Sequence, residues 1–183
     1  MNMRLNEKTA IVTGGASGFG EGIVRKFISE GAKVMIADLN EEGAASLAEE
    51  LGNNAQSFKV NVAKNDEVEA MMQATLDAFN SIDILVNNAG TTHLPAPMEE
   101  VSEEDFDLVM AVNAKSVYLT AKHIVPYMKT RNTGAILNVA STAGVSPRPR
   151  LNWWGYRDDV GLIRHAIRGS VRTTAEHMLN TDS

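Results

Sequence analysis

The chain has 183 residues and a formal net charge of −6; it is 44% hydrophobic, 22% charged and contains no cysteine. That length suffices for one domain with a sizeable core, while the acidity argues against a general binder of nucleic acid or acidic membrane, and the missing thiols exclude disulfides and thiolate metal sites. No run approaches the roughly 18 apolar residues of a membrane span, and Met1–Leu5 lacks the apolar core of a secretory signal, so a soluble cytoplasmic protein is expected.

Thr9-Ala10-Ile11-Val12 is a short apolar, partly β-branched run that ends in Thr13-Gly14-Gly15, which predicts a buried strand and a turn. Ile23, Val24, Phe27 and Ile28 recur at helical spacing, with Gly31 as the stop. Val34–Ala37 reads as a second buried strand. Ala44, Leu47, Ala48 and Leu51 form one helical stripe closed by Gly52, and Phe58–Val60 reads as a third, shorter strand. Val68, Met71, Met72, Leu76 and Phe79 lie on one face of an amphipathic helix. Ile84–Val86 predicts a fourth strand. Ser102 with Asp105 resembles a helix N-cap ahead of Phe106, Val109 and Met110. A long helix is expected from about Asn113 to Met128, kinked by Pro126 in its last turn, and Ala135–Val139 predicts a fifth strand.

Five strands thus alternate with helices, and the strands are continuous apolar runs rather than alternating ones. Both of their faces should therefore be covered. This predicts an α/β fold: a doubly wound parallel sheet in three layers, α/β/α. Residues 1–150 are read as the main unit and 151–183 as a divergent segment with one helix, the whole making a single domain. That last helix would run from about Leu162 to Leu179, with Ile163, Ile167, Val171 and Met178 on a rough stripe that Gly169-Ser170 weaken.

The octet Thr13-Gly14-Gly15-Ala16-Ser17-Gly18-Phe19-Gly20 lies between the first strand and the first helix. A pyrophosphate there needs close backbone approach, which Gly14, Gly18 and Gly20 permit. It also needs the free N–H groups of a helix start, which begins near Gly18. No Lys-Ser or Lys-Thr follows the glycines, so this is not a Walker loop. Asp38 ends the second strand, 18 residues past Gly20, where a carboxylate can accept from both ribose hydroxyls and would repel a 2′-phosphate. No Arg or Lys stands at Gly15, Ala16 or Leu39 to offset it, so NAD is expected over NADP and the fold is read as a Rossmann fold. Read singly, these features have bland alternatives, a flexible turn and a strand-end aspartate; their order along the chain favours the cofactor.

These motifs resemble the short-chain dehydrogenase/reductase family over about residues 5–153. TGGASGFG fits that family's TGxxxGxG loop, and Asn87-Asn88-Ala89-Gly90 fits its NNAG after the fourth strand. Asn113, in Val-Asn-Ala-Lys-Ser, fits the tetrad asparagine, and Ser141, in Asn-Val-Ala-Ser, fits the catalytic serine. The resemblance implies hydride transfer between NAD(H) and a secondary alcohol or ketone. It implies cofactor contacts at Gly14, Ser17, Gly18, Phe19, Gly20, Asp38, Leu39, Asn61, Val62, Asn88, Ala89 and Gly90. Asn61-Val62 stands where the family often has Asp-Val beside the adenine, and the amide can still hydrogen-bond there. Taken alone, Asn113 would read as a solvent-facing polar residue at a helix start and Ser141 as a turn or cap serine.

The resemblance breaks after Ser141. The family's tyrosine moves the proton on oxygen, and a lysine four residues later lowers its pKa from the ordinary value of about 10. Here Trp154 stands where that tyrosine is expected and Asp158 where the lysine is; no lysine follows Lys129. Tyr156 is the remaining candidate acid, with Arg157 beside it, although neighbours on a helix point about 100° apart. All eight lysines lie before residue 130, and six of the nine arginines after residue 147. The family also continues through further strands and helices. Such coincident changes are what a shift of reading frame near Trp153 would produce. The alternatives to turnover are therefore a catalytically impaired NAD-binding protein or a truncated product.

His93 is a candidate for the substrate pocket or a solvated loop residue, and His123 reads as structural. His165 and His177 are too far apart for a helical metal pair, and no metal is expected. The resemblance implies a small carbonyl or alcohol as substrate and a homo-oligomer, dimer or tetramer, packed through the long helix. Which substrate is not legible, because the family reduces steroids, sugars, acyl thioesters and small ketones on one cofactor domain.

Overall fold

A computed structural model describes residues 3–92 and 98–140. Five strands, β1 (Thr9–Thr13), β2 (Lys33–Asp38), β3 (Ala55–Lys59), β4 (Ile84–Asn87) and β5 (Ala135–Asn138), form one parallel sheet in the order β3-β2-β1-β4-β5. The helices between them are α1 (Gly18–Ser29), α2 (Glu41–Leu51), α3 (Asn65–Phe79), α4 (Glu103–Met110) and α5 (Ser116–Arg131). This is the doubly wound arrangement the apolar runs predict.

β1 is central and buried along its whole length. Its pleat sends Ala10 and Val12 to one face, where they pack with Val34, Ile36, Val24 of α1, and Ala44 and Leu47 of α2. Ile11 pairs in register with Met35 and Leu85, and this fully buried row faces the other side. The chain steps outward from β1 through β2 to β3 and then returns across the sheet to β4. Right-handed crossovers therefore put α1 and α2 on one face and α3 on the other. Of the stripe predicted on α3, Val68, Met71, Met72 and Phe79 are buried, whereas Leu76 is only half-buried and Thr75 is buried in addition. Asn80 closes that helix in a left-handed conformation, φ 63°.

Three features differ from the sequence reading. β3 starts at Ala55, three residues early, because Gln56 and Lys59 of this edge strand are exposed and break the apolar run. The long helix does not begin at Asn113. A π-helical turn, Ala111–Lys115, joins α4 to α5 without a break, and α5 continues past Pro126 to Arg131. β5 is half exposed rather than covered on both faces, with Leu137 48% exposed, since it is an edge of the described sheet.

The chain divides into two compact units, Met1–Ala89 with Tyr118–Val139, and Gly90–Val117 with Ala140–Ser183. The first holds the sheet, α1–α3 and most of α5. The second, among its described residues, holds α4, capped by Ser102 Oγ accepting from Asp105 N at 3.1 Å, and the π-helical turn. No helix among the described residues is long and apolar enough to cross a membrane.

Candidate functional site

The strand order reverses between β1 and β4, so the loops after these two strands lie at the switch point of the sheet, at its carboxyl end, where such folds bind ligands. Thr13 organises both loops. Its hydroxyl donates to Val86 O at 3.2 Å and accepts from Asn88 N at 3.0 Å and Ala89 N at 3.1 Å. Asn88 answers by donating its side-chain amide to Thr13 O and Gly14 O, both at 3.0 Å. The glycine loop is thereby locked to the loop after β4.

The glycines divide by role. A Cβ on Gly14 would stand 2.9 Å from Ala89 Cα, and one on Gly20 would overlap the Gly14 carbonyl and press on Asn88 Nδ2. These two are small so that loop packs on loop. Gly18 differs: its φ is +55°, and a Cβ there would meet nothing within 4 Å. Its backbone therefore borders open space, as a bound phosphate requires. Beside it, Ser17 caps α1 in extended conformation without a side-chain cap bond, and the first N–H groups of the helix have no intrahelical acceptor. Phe19 is 86% exposed at this opening. The loop's geometry and donors fit a pyrophosphate.

Asp38 ends β2 next to this loop. Oδ2 accepts from Ala16 N and Oδ1 from Asn40 N, each at 2.9 Å. The carboxylate is thus fixed beside the glycine loop, with further lone pairs to offer. Lys59, its register partner on β3, is turned to Glu41, Nζ to Oε2 3.1 Å. Sequence spacing alone does not place this lysine beside Asp38, because the two meet only through strand register. Leu39 is largely exposed. Asn61 and Val62 follow β3; Asn61 Oδ1 accepts from Ala63 N at 3.0 Å, and Val62 is buried.

In the second unit Gly90 is exposed, and Asn113 sits in the π-helical turn. Asn113 is 5% exposed, which overturns the solvent-facing alternative. Its Nδ2 donates to Thr91 O and its Oδ1 accepts from Thr91 N, both at 2.8 Å, a closed pair that pins the chain after the NNAG motif. π-Helical insertions of this kind recur at functional sites, because they turn one side chain out of helical register. Ser141 and Tyr156 lie outside the described residues, as do His93, Trp153, Trp154, Asp158 and the helix expected after Leu162.

Two further features escaped the sequence reading. Thr120 Oγ1 donates to Asn87 Oδ1 at 2.9 Å, and Asn87 Nδ2 donates to Asn138 Oδ1 at 2.7 Å. Asn138 Nδ2 is then buried without a partner among the described residues. The other is Tyr118 with Lys122, which have Tyr-x-x-x-Lys spacing on α5. Lys122 Nζ donates to Asn65 Oδ1 on α3 at 3.0 Å and Tyr118 is 64% exposed, so this lysine braces two helices. No group of His, Asp and Glu among the described residues could hold a metal ion.

The sequence profile of the short chain dehydrogenases matches residues 8–155. The 4-formylbenzenesulfonate dehydrogenase of Comamonas testosteroni is 45% identical over 182 aligned residues, covering 94% of this chain and 72% of the relative. The 3β-hydroxysteroid dehydrogenase 2 of Eggerthella lenta is 40% identical over 148, covering 79% of this chain, which spans only 57% of that relative's length. Among solved structures, a 3-ketoacyl-(acyl-carrier-protein) reductase from Brucella melitensis complexed with NADH superposes with a TM-score of 0.87 at 36% identity, covering 96% of this chain and 72% of the other. With the TGxxxGxG loop, the NNAG latch and the parallel sheet in place, the chain belongs to the short-chain dehydrogenase family.

Proposed function

We propose that this protein is an NAD-dependent oxidoreductase that acts on a small secondary alcohol or ketone in the cytoplasm, as a homo-oligomer. The observation that carries the NAD preference is the double backbone clamp on Asp38. A carboxylate held by Ala16 N and Asn40 N cannot swing away from a ribose. It accepts from vicinal hydroxyls and repels a 2′-phosphate. Lys59, the register partner of Asp38 on β3, is engaged with Glu41.

In this reading Gly18 and the start of α1 receive the pyrophosphate, Asp38 the adenosine ribose, and Leu39, Asn61 and Val62 the adenine. The bound nicotinamide supplies or accepts the hydride. Ser141 would offer its hydroxyl to the substrate oxygen, Asn113 would hold the chain at Thr91, and Tyr156 would exchange the proton on that oxygen. A second reading is an NAD-binding protein without turnover. It is favoured by Trp154 and Asp158 standing where the family pattern has Tyr and Lys.

Thermal unfolding with NADH or NADPH tests the cofactor assignment. NADH at 100 times its Kd should stabilise the native state by about 2.7 kcal/mol. A larger shift with NADH than with NADPH is expected; equal shifts, or none, would overturn the assignment. Oxidation of NADH with a panel of ketones then separates the two readings. Unchanged turnover in Tyr156→Phe would remove Tyr156 from the mechanism.

A further inference from the structure

We propose that Glu67 is a positioning residue for the adenosine half of the dinucleotide, acting through the turn at Asn61; this rests on the cofactor reading above. α3 starts without an ordinary cap, since Lys64 stands at the N-cap position and makes no side-chain cap bond. Glu67, in the first turn, reaches back beyond the cap instead. Its Oε2 accepts the Asn61 backbone N–H at 2.7 Å, and its Oε1 pairs with Lys64 Nζ at 2.9 Å. The Asn61 N–H and the Lys64 ammonium together hold the Glu67 carboxyl below the usual carboxylate range.

The turn itself has little freedom left. Asn61 O accepts from Lys64 N at 3.0 Å and Asn61 Oδ1 from Ala63 N at 3.0 Å. Val60 and Val62 are buried on either side. Val60 N donates to Asp38 O at 2.9 Å, which ties the turn to the strand end that carries the ribose carboxylate. Asn61 N is the one backbone group of that residue whose partner is a side chain, so Glu67 is the link that a mutation can remove. Removing it loosens the wall beside Asp38. Affinity that depends on a preorganised wall then falls.

The test is titration of the full chain with NADH, ADP-ribose and reduced nicotinamide mononucleotide. Glu67→Ala and Glu67→Asp should weaken NADH and ADP-ribose by about fivefold, and leave the mononucleotide unchanged. Glu67→Gln keeps an oxygen for Asn61 N and should stay within about twofold, because the exposed pair with Lys64 contributes little. Glu67→Asp retains the charge at the start of α3 while withdrawing the reach, so it serves even if the alanine variant fails to fold. Unchanged ADP-ribose affinity in Glu67→Asp overturns the proposal, as does equal weakening of both half-ligands. Wild-type protein that binds neither NADH nor ADP-ribose overturns the cofactor reading, and this inference with it.

Discussion

The two ends of the sheet use their polar groups in opposite ways. At the amino ends of the strands, Asp83, 7% exposed, accepts from Thr9 N at 2.9 Å and pairs with Arg131 at 3.3 Å. Arg131 also donates to Ile82 O and to Tyr127 Oη, and Tyr127 Oη accepts from Ile82 N. There the donors and acceptors are used on one another. At the carboxyl ends, the starting N–H groups of α1 and the outer lone pairs of Asp38 remain for a ligand, while Asn88 and Thr13 hold the loops that present them. A parallel sheet makes this division natural. Its helix N-termini gather at the carboxyl ends, where anions bind, and its βα loops there can vary without disturbing strand pairing.

Variants can break this comparison. The largest effect is expected at the closed end. Asp83→Ala leaves Thr9 N without its acceptor and Arg131 without its carboxylate partner, and should cost about 3 kcal/mol in stability, measured by urea unfolding. NADH affinity of the folded fraction should not change. A stable Asp83→Ala protein that no longer binds NADH would mean the two ends are not separable. Next, Gly20→Ala drives a methyl into the Gly14 carbonyl and Asn88; it should cost about 2 kcal/mol and abolish the NADH-dependent shift in Tm. Asp38→Ala should weaken NADH about tenfold, some 1.4 kcal/mol, with a smaller or opposite effect on NADPH, read by fluorescence titration.

The smallest effect concerns a third, exposed place. Lys26 and Arg4 hold the Glu30 carboxyl at about 2, below its ordinary 4.5. Its contribution to stability is therefore complete above pH 4.5 and is lost as the pH falls from there towards 2. Glu30→Gln should flatten that part of the acid limb and leave stability near pH 7 reduced only slightly; an unchanged acid limb would remove Glu30 from it.

The glycine loop and Asp38 could be read from the sequence because each depends on local rules. Glycine permits a positive φ, a helix start presents N–H groups, and a strand end presents a carboxylate. Thr13 could not be read that way. Its hydroxyl matters only because β4 returns beside β1 and brings Asn88 and Ala89 to it. The NNAG motif is expected to line a cofactor; what it does not reveal is that Asn88 is also a latch and Ala89 the surface on which Gly14 packs. Asn113 is placed by the family motif alone; its residue-by-residue reading, a solvated side chain at a helix start, fails because helical periodicity cannot reveal a π-helical turn, in which one extra residue rotates the side chain inward.

By itself the sequence determined the order and type of the elements, the parallel sheet and the glycine turn ahead of the first helix, since apolar runs, helical stripes and glycines act over a few residues. Only the tertiary structure decided which glycines leave room for a ligand and which for a neighbouring loop. It also decided how the Asp38 carboxylate is held, and which lysines are engaged with partners. Those outcomes depend on groups tens of residues apart that meet only when the sheet closes.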